Sequence, residues 1–324
     1  MRTRFIAGAI ALAAVTTTAC ASDEIGPKAT PADELMTVES EFGEVEVPRE
    51  PTAALGMYTT DVDILLTLGI ELADSQPIRG DSGYTTFPEF FPADPLEGVD
   101  AFANYPDYDY DAILKAQPDF ILNGLGYDKK VNRRLPDIAP TYSVNAFDGR
   151  SWTEHFKETA IALDREAEYD AWIEKYDARV AEVRAAIEEA GAEDLMMAPL
   201  GYYEGEAVVS CYSGVECQAF EDLGLGVFEP GRANDNEGTT YSAERIGELA
   251  EVDFAFVTVA STEEGQEQFE TIMDEAGKNP LWANLDMVKN DRVIPFDLEM
   301  TFGSPSGQMA FLDVVEDAVT GGSA

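Results

Sequence analysis

The sequence predicts an α/β protein in which two lobes, each built on a parallel sheet, are joined by one long helix. Strand-like apolar runs alternate with helical patterns in both halves of the 324-residue chain, as in parallel sheets covered on both faces. The longest helical pattern, residues 151–190, stands between these two runs. The length fits about two domains, and a hydrophobic content of 45% is sufficient for a buried core.

The first half opens with a hairpin pattern, TVESEFGEVEVP, which ends at Pro48. A buried strand is then predicted to end near Gly56, followed by a helix from Thr60 with Asp63 as its capping-box partner. Further along, YDYDAILKAQ predicts a helix and PDFILNGLG a strand with a loop after it. Ligands of such sheets gather at the loops beyond the carboxyl ends of the strands.

The central helical pattern begins with a capping box of Ser151 and Glu154 and ends at Gly191. A continuous helix would measure on the order of 60 Å, and a bend midway is the alternative. We predict an N-terminal lobe at 38–150, a connecting helix at 151–190 and a C-terminal lobe at 191–324.

The first twenty residues have the pattern of an export signal. Arg2 and Arg4 precede an apolar stretch, Phe5–Val15, that is too short for a permanent membrane span, which needs ~20 apolar residues. Small residues and then Cys20 follow, which resembles a bacterial lipoprotein signal. Thr17 departs from that pattern, which usually has an aliphatic residue there, and an ordinary secretory signal is the alternative.

The lipoprotein interpretation predicts a signal peptide at residues 1–19, a lipidated (palmitate-bearing) Cys20 and a tether at residues 20–37. The protein would then be held by its lipid alone on the outer face of the cell membrane, in a Gram-positive cell. Cys211 and Cys217 remain as an even pair in an oxidising compartment, and we expect a disulfide between them. Two reduced thiols or a weak metal site are the alternatives.

The charge is strongly acidic, with 63 acidic and 21 basic residues and a net charge of −42. Such a surface repels phosphate backbones and anionic headgroups, which excludes nucleic acid as a partner. It also disfavours anionic small molecules unless arginines or lysines cluster locally.

The sequence lacks the usual catalytic patterns. His155 is the only histidine, and we find no Gly-x-Ser-x-Gly, phosphate-binding loop or dinucleotide fingerprint. One histidine and two close cysteines cannot build a zinc site of the usual type. We therefore expect no enzymatic activity, no resident cofactor and no directly bound metal; a hydrolase using paired carboxylates is the alternative from the enzyme class.

Aromatic residues and a few arginines in predicted loops mark a candidate ligand surface between the lobes. The candidates are Tyr58, Arg79, Tyr84, Tyr127, Trp152, Tyr202, Tyr203, Tyr212, Arg232 and Phe302.

Several segments in order resemble the class III periplasmic-binding-protein family, whose members deliver iron-siderophores, haem or cobalamin to ABC importers. The segments are FGEVEVPREP, DILLTLGI, YDAILKAQPDFIL, LPDIAPTY, YSAERIGELAEVDFAFVT and NPLWANLDMVKNDRVIPFD. The resemblance covers most of the chain and implies two Rossmann-like lobes joined by one long helix. It also implies one surface carboxylate on each lobe that meets arginines of the permease, here Asp111 and Glu244; Asp111 is one methylene shorter than the family's usual residue.

The resemblance makes a ferric siderophore the expected ligand of a monomeric receptor, with haem or cobalamin as alternatives. Catecholate siderophores are strongly anionic, and only Arg79, Arg150 and Arg232 stand ready to meet them. A neutral or cationic ferric hydroxamate suits this charge balance better. A haem ligand would need an axial Tyr, Met or His, and a surface interaction protein without a small ligand is a further alternative.

Overall fold

The computed structural model describes residues 34–212 and 214–321. The predicted signal peptide, Cys20 and most of the predicted tether lie outside the described residues, so their assignments stay predictions. Within the described part, none of the helices is both long and apolar enough to cross a membrane.

The first lobe begins with an antiparallel hairpin and continues as parallel strands. The hairpin is tied to the sheet by Ser143, whose carbonyl accepts hydrogen bonds from the Glu41 backbone (2.8 Å) and the Ser40 hydroxyl (3.1 Å). The strands of the first lobe are β1 (Leu35–Ser40), β2 (Gly43–Pro48), β3 (Ala54–Gly56), β4 (Ser75–Ile78), β5 (Asp100–Ala103), β6 (Phe120–Asn123) and β7 (Thr141–Ser143). Strands β3, β6 and β7 pair in parallel in that order, and β4 pairs in parallel with β5. Its helices are α1 (Thr59–Thr67), α2 (Tyr110–Lys115) and α3 (Lys129–Asn132).

The start of α1 differs from the predicted capping box of Thr60 and Asp63. Tyr58 is the N-cap, and the Asp61 carboxylate accepts the backbone N–H groups of Met57 (3.2 Å) and Tyr58 (3.3 Å). The same carboxylate accepts the N–H of Gly124 at the end of β6 (3.0 Å). Asp61 is thus the acidic residue in the first turn, and three backbone N–H groups converge on it; that of Met57 also donates to the Leu122 carbonyl (2.8 Å).

The central segment contains two helices, α4 (Trp152–Ala162) and α5 (Glu166–Ala190), so the bent alternative is the observed one. The predicted cap is present: the Thr153 N–H donates to the Ser151 hydroxyl (3.2 Å) and the Ser151 N–H to Glu154 (3.3 Å). The chain breaks at Asp164, which has a φ of 57°. The 25-residue α5 is the long helix of the predicted fold class, about 37 Å in length.

The second lobe contains a mixed sheet in the order β11-β9-β8-β12-β13, with β10 paired to the start of β8. Strands β8, β10, β12 and β13 pair in parallel, whereas β9 is antiparallel to both of its neighbours, β8 and β11. The strands are β8 (Met196–Tyr203), β9 (Glu206–Val209), β10 (Gly226–Val227), β11 (Thr239–Tyr241), β12 (Phe254–Val259) and β13 (Val293–Asp297). The helices are α6 (Val215–Asp222), α7 (Glu263–Gly277), α8 (Asp286–Lys289) and α9 (Pro305–Thr320).

One hydrophobic core runs from lobe to lobe. It contains Phe120 of β6, Trp172 of α5 and Phe311 of α9, all buried. The last helix, α9, packs against α5 and α6 and also against α1 of the first lobe. The predicted fold class, α/β with parallel sheets in two lobes and a long helix, is confirmed. The shared core joins the lobes on one side and leaves a cleft where the strand ends of the two sheets face each other.

Candidate ligand-binding cleft

The cleft contains a cavity of about 650 Å³ at the carboxyl ends of the sheet strands. This volume lies within the range of small-molecule sites, roughly 300–1,000 Å³. The first lobe contributes the segment between β7 and α4, and the second lobe contributes the ends of β8, β12 and β13 and the segment between β9 and α6. Placement at the strand ends agrees with the rule for open α/β sheets.

Aromatic side chains from both lobes line this cavity. Four of the predicted ligand residues are among them: Trp152, Tyr203, Tyr212 and Phe302. Tyr203 and Tyr212 are 66% and 70% exposed, so their rings are available to a ligand. Trp152 is buried behind the surface, edge-on to the ring of Trp172 at 5.5 Å. The wall therefore combines two solvent-exposed tyrosine rings with one buried indole, that of Trp152.

Sequence reasoning missed Phe147, which lies in the same wall and orders its neighbours. Its ring is 5.6 Å from that of Tyr127 and 6.5 Å from that of Tyr58. Tyr58 also contacts the ring of Phe302, at 6.2 Å. The predicted residues Tyr58 and Tyr127 thus border the cavity through Phe147 and Phe302. The position of Phe147 just beyond β7 is the signal that could have found it.

Tyr58 belongs to a buried polar group beneath Phe302. Burial, with the nearby Asp61 carboxylate, raises the pKa of Tyr58 well above its usual value. Burial also raises the pKa of Glu299 to about 7, against the opposing charge of Arg79. Tyr58 is therefore uncharged across the neutral range, whereas Glu299 changes its charge near pH 7.

The predicted residue Arg79 lies beside this group and outside the cavity wall. Its Nε is 2.8 Å from Asp81 and 3.4 Å from Glu299. Its guanidinium lies over the rings of Tyr105 (4.5 Å) and Phe302 (5.4 Å). Asp81 therefore balances this cation, together with Glu299 when that carboxyl is ionised.

The structure does not bring the other three predicted ligand residues to the cavity wall. The Tyr84 hydroxyl donates to Asp297 across the lobes (2.8 Å), and Tyr84 borders a separate, smaller cavity of about 550 Å³. Tyr202 is buried against Trp282, with ring centroids 5.5 Å apart. Successive side chains of a strand point to opposite faces, so Tyr203 faces the cavity and Tyr202 faces the core. Arg232 forms an ion pair with Glu221.

Arg150 is the cationic side chain among the described residues that line the cavity. Its guanidinium binds Asp148 and Glu158, each at 2.7 Å. Partial burial acts to raise the pKa of Asp148, but hydrogen bonds from Arg150 and His155 lower it overall. His155 is buried with its Nε2 at 2.8 Å from Asp148, so it supports this ion-pair group. The cavity consequently lacks an uncompensated positive charge on its described wall.

Cys211 and Cys217 are joined by a disulfide with an S–S distance of 1.98 Å, and both are fully buried. The ring that they close contributes Tyr212, Gly214 and Glu216 to the cavity wall. Gly214 has two defined roles in the backbone: its N–H donates to the Cys211 carbonyl (2.8 Å), and it is the N-cap of α6 with a φ of 72°. The disulfide is therefore part of the cavity's construction.

No cluster of three or more His, Cys, Asp or Glu residues suited to hold a metal ion occurs within residues 34–212 and 214–321. The cavity instead offers aromatic faces, backbone groups, hydroxyls and the separate carboxylates of Glu216 and Asp235. Such a wall recognises a ligand by shape and stacking.

The two predicted permease-contact residues lie on the surface, one on each lobe. Asp111 is exposed in the first turn of α2. Glu244 is exposed between β11 and β12, and its own backbone N–H together with the Ser242 hydroxyl (2.9 Å) lowers its pKa. Both positions are accessible to a partner, and their role stays a prediction.

Two α/β lobes that share a core and open a cleft lined by aromatic rings are the architecture of a solute-binding protein. The sequence model of a protein family described as periplasmic binding protein matches residues 57–298. The chain therefore belongs to the periplasmic binding protein family. The family predicted from the sequence is confirmed.

Individual relatives are distant. The chain is 25% identical to the Fe(3+)-citrate-binding protein YfmC of Bacillus subtilis, in a match that spans 58% of this chain and 56% of the relative. It is 21% identical to the iron(3+)-hydroxamate-binding protein FhuD of the same organism, over 89% of this chain and 87% of the relative. A crystal structure of a periplasmic solute binding protein from Mycobacterium smegmatis superposes with a TM-score of 0.69 at 20% identity, covering 89% of this chain and 98% of the other.

Proposed function

We propose that this protein is the substrate-binding component of an ABC importer and that it binds a ferric siderophore of the hydroxamate type in the cleft. The observation that carries this proposal is the aromatic cavity in which Arg150, the cationic lining residue of the described wall, is held by Asp148 and Glu158. The FhuD relative, whose name specifies an iron(3+)-hydroxamate, supports the same ligand class.

The charge balance distinguishes between siderophore classes. Ferric catecholates are multiply anionic, and their recognition requires cations that are free to meet them. Arg79, Arg150 and Arg232 are each paired with carboxylates. The ferric trihydroxamate core is neutral, so its binding does not require a free cation in the cavity wall.

The second candidate is haem, favoured by the exposed cavity residues Tyr203 and Tyr212, since a tyrosinate can serve as an axial ligand. Cobalamin remains the other alternative of the same fold. The protein performs no chemistry on its ligand in this proposal, and it needs no resident cofactor.

The proposal includes an extracytoplasmic location. Cys20 would carry the lipid that holds a monomeric receptor at the outer face of the membrane of a Gram-positive cell. Intact-mass measurement of protein extracted from membranes tests this part, since diacylation of Cys20 adds a defined mass and an unmodified cysteine would refute the anchor. The permease would meet Asp111 on one lobe and Glu244 on the other.

Fluorescence titration tests the ligand. Trp152 lies in the wall, so a bound ferric complex is expected to quench it. The panel contains ferrioxamine B as hydroxamate, a ferric catecholate, haemin and cobalamin. We expect saturable quenching by ferrioxamine B. Quenching by the catecholate alone would refute the hydroxamate assignment, and a Soret shift with haemin alone would establish the second candidate.

A further inference from the structure

The second-lobe wall of the cavity carries an uncompensated acidic group. Asp235 is exposed in this wall, and its carboxylate makes no ion pair or hydrogen bond with the rest of the described chain. The residue belongs to a run of three left-handed residues, with φ values of 54° at Asn234, 55° at Asp235 and 70° at Asn236. The Asn236 carbonyl accepts the Ser210 hydroxyl (2.9 Å), so the run is attached to the end of β9.

A second acidic side chain, Glu216, lies in the same wall and is buried, with 4% of its surface exposed. It stands in the disulfide-closed ring at the start of α6. Glu216 has an interaction of its own, so Asp235 is the carboxylate of the described wall that is open to a ligand. The cationic side chain of this wall, Arg150, is already balanced by Asp148 and Glu158. The wall therefore attracts positive charge, and the net charge of −42 acts in the same direction.

Aromatic rings stand beside this acidic wall. Tyr203 and Tyr212 are largely exposed and line the same cavity as Asp235. The face of an aromatic ring attracts an ammonium group, worth about 0.5–1 kcal/mol at exposed sites. Carboxylates and π faces together form the surroundings that an alkylammonium group requires.

We infer that the cavity selects, among ferric hydroxamates, those that carry a pendant ammonium group, and that the Asp235 carboxylate recognises this ammonium group by forming an ion pair with it. The inference rests on the proposed function and deepens it, because it assigns the orientation of the ligand as well as its class. The neutral iron-hydroxamate core lies against the aromatic wall, and the ammonium arm extends towards Asp235. A single solvent-accessible ion pair of this kind changes affinity by only about two- to fivefold, so the comparison needs matched ligands.

Ferrioxamine B and its N-acetyl derivative provide that match. Both contain the same ferric trihydroxamate core, and acetylation removes the positive charge of the terminal amine. Affinities of both ligands are measured by tryptophan quenching or calorimetry for the unmodified protein, for Asp235→Asn and for the control Asp274→Asn. Asparagine tolerates the left-handed backbone, and Asp274 is an exposed carboxylate of α7 that does not line the cavity.

We expect ferrioxamine B to bind at least about threefold more tightly than the acetylated form, an exposed-pair effect. Asp235→Asn should bring this ratio close to unity, while Asp274→Asn should leave it within experimental error. Equal affinities for the two ligands, or a ratio that Asp235→Asn leaves unchanged, would overturn this inference and leave the proposed function standing. A ratio that falls equally in both variants would assign the preference to the overall field and would also overturn it. Failure of the unmodified protein to bind either ligand would instead overturn the hydroxamate function itself.

Discussion

The buried carboxylate of Asp63 in α1 accepts two hydrogen bonds from Ser306 at the start of α9, one from the backbone N–H (2.6 Å) and one from the hydroxyl (2.7 Å). Residues 243 positions apart in the chain thus join the first lobe to the last helix. Burial raises the pKa of Asp63 to about 6, although both Ser306 donors act to lower it. Hydrogen bonds therefore stabilise the ionised carboxylate of Asp63 against the cost of its burial.

Ser306→Ala removes the hydroxyl donor and leaves the buried carboxylate with less compensation. We expect a loss of about 1–3 kcal/mol in the free energy of unfolding at pH 8, measured by urea denaturation. Thr320→Ala is the control, because its hydroxyl bonds to the Glu316 carbonyl at the exposed end of the same helix. A loss no larger than that of the control would contradict a stabilising role for this contact.

Glu299→Gln tests the cost of the buried carboxylate beneath Phe302. The folded-state pKa of Glu299, about 7, lies above its ordinary value of 4.5. The native state therefore holds a proton that the unfolded state has released, and the stability contributed by this group declines as the pH rises from about 4.5 to 7. We expect Glu299→Gln to raise stability at pH 8 by an amount on the order of 1–3 kcal/mol.

The same substitution should have little effect near pH 3, where Glu299 is protonated in both the folded and the unfolded state. Unfolding curves at several pH values, for both proteins, check this. A difference that does not change with pH would show that the carboxyl group is not the titrating group.

Adjacent tyrosines of β8 should respond in opposite ways to truncation. Tyr203→Ala is expected to weaken ligand binding about tenfold or more, as expected for loss of an aromatic contact, with little change in stability. Tyr202→Ala opens a cavity in the core beside Trp282 and should cost roughly 3–5 kcal/mol. Each variant is titrated with ferrioxamine B and unfolded by heat. Equal losses of affinity in the two variants, with both still folded, would refute the conclusion that Tyr203 faces the cavity and Tyr202 the core.

Replacement of Cys211 and Cys217 together by serine should lower stability by about 2 kcal/mol in the chain-entropy account of so short a ring. Because the ring lines the cavity, ligand affinity should fall as well. Reduction of the unmodified protein and its re-oxidation on the same sample provide the control. Affinity that is insensitive to both would show that the ring keeps its shape without the bond.

Charge reversal at the predicted permease contacts separates transport from binding. Glu244→Arg is expected to abolish uptake of the iron complex while leaving its affinity within about twofold, since the residue is exposed and lies outside the cavity wall. Asp111→Arg should act in the same direction. Iron-55 uptake in cells and titration of the purified variants are the two measurements, and Asp274→Arg controls for the change in net charge. Lost affinity would place Glu244 in the ligand site instead.

Local and periodic features were accessible from the sequence alone. Alternating apolar patterns indicated parallel sheets, because the side-chain periods of strands and helices are written directly into the order of residues. The cap of Ser151 and Glu154 was found for the same reason: a cap involves neighbours within one turn. Counting cysteines led to the pairing of Cys211 with Cys217.

The tertiary structure decided what depends on neighbours that are distant in the chain. Which of Tyr202 and Tyr203 faces the cavity depends on what packs against each side of β8, and the strand pattern alone does not say which side is the cleft. The positive φ of Asp164, which divides the central helix, had no glycine or proline to announce it. Arg150 is neutralised by its ion pairs with Asp148 and Glu158, and electrostatic balance is a property of distances between side chains. The sequence by itself therefore determined the fold and the class of protein, while the charge balance of the cleft, on which the proposed kind of ligand rests, was decided by the packing that brings those side chains together.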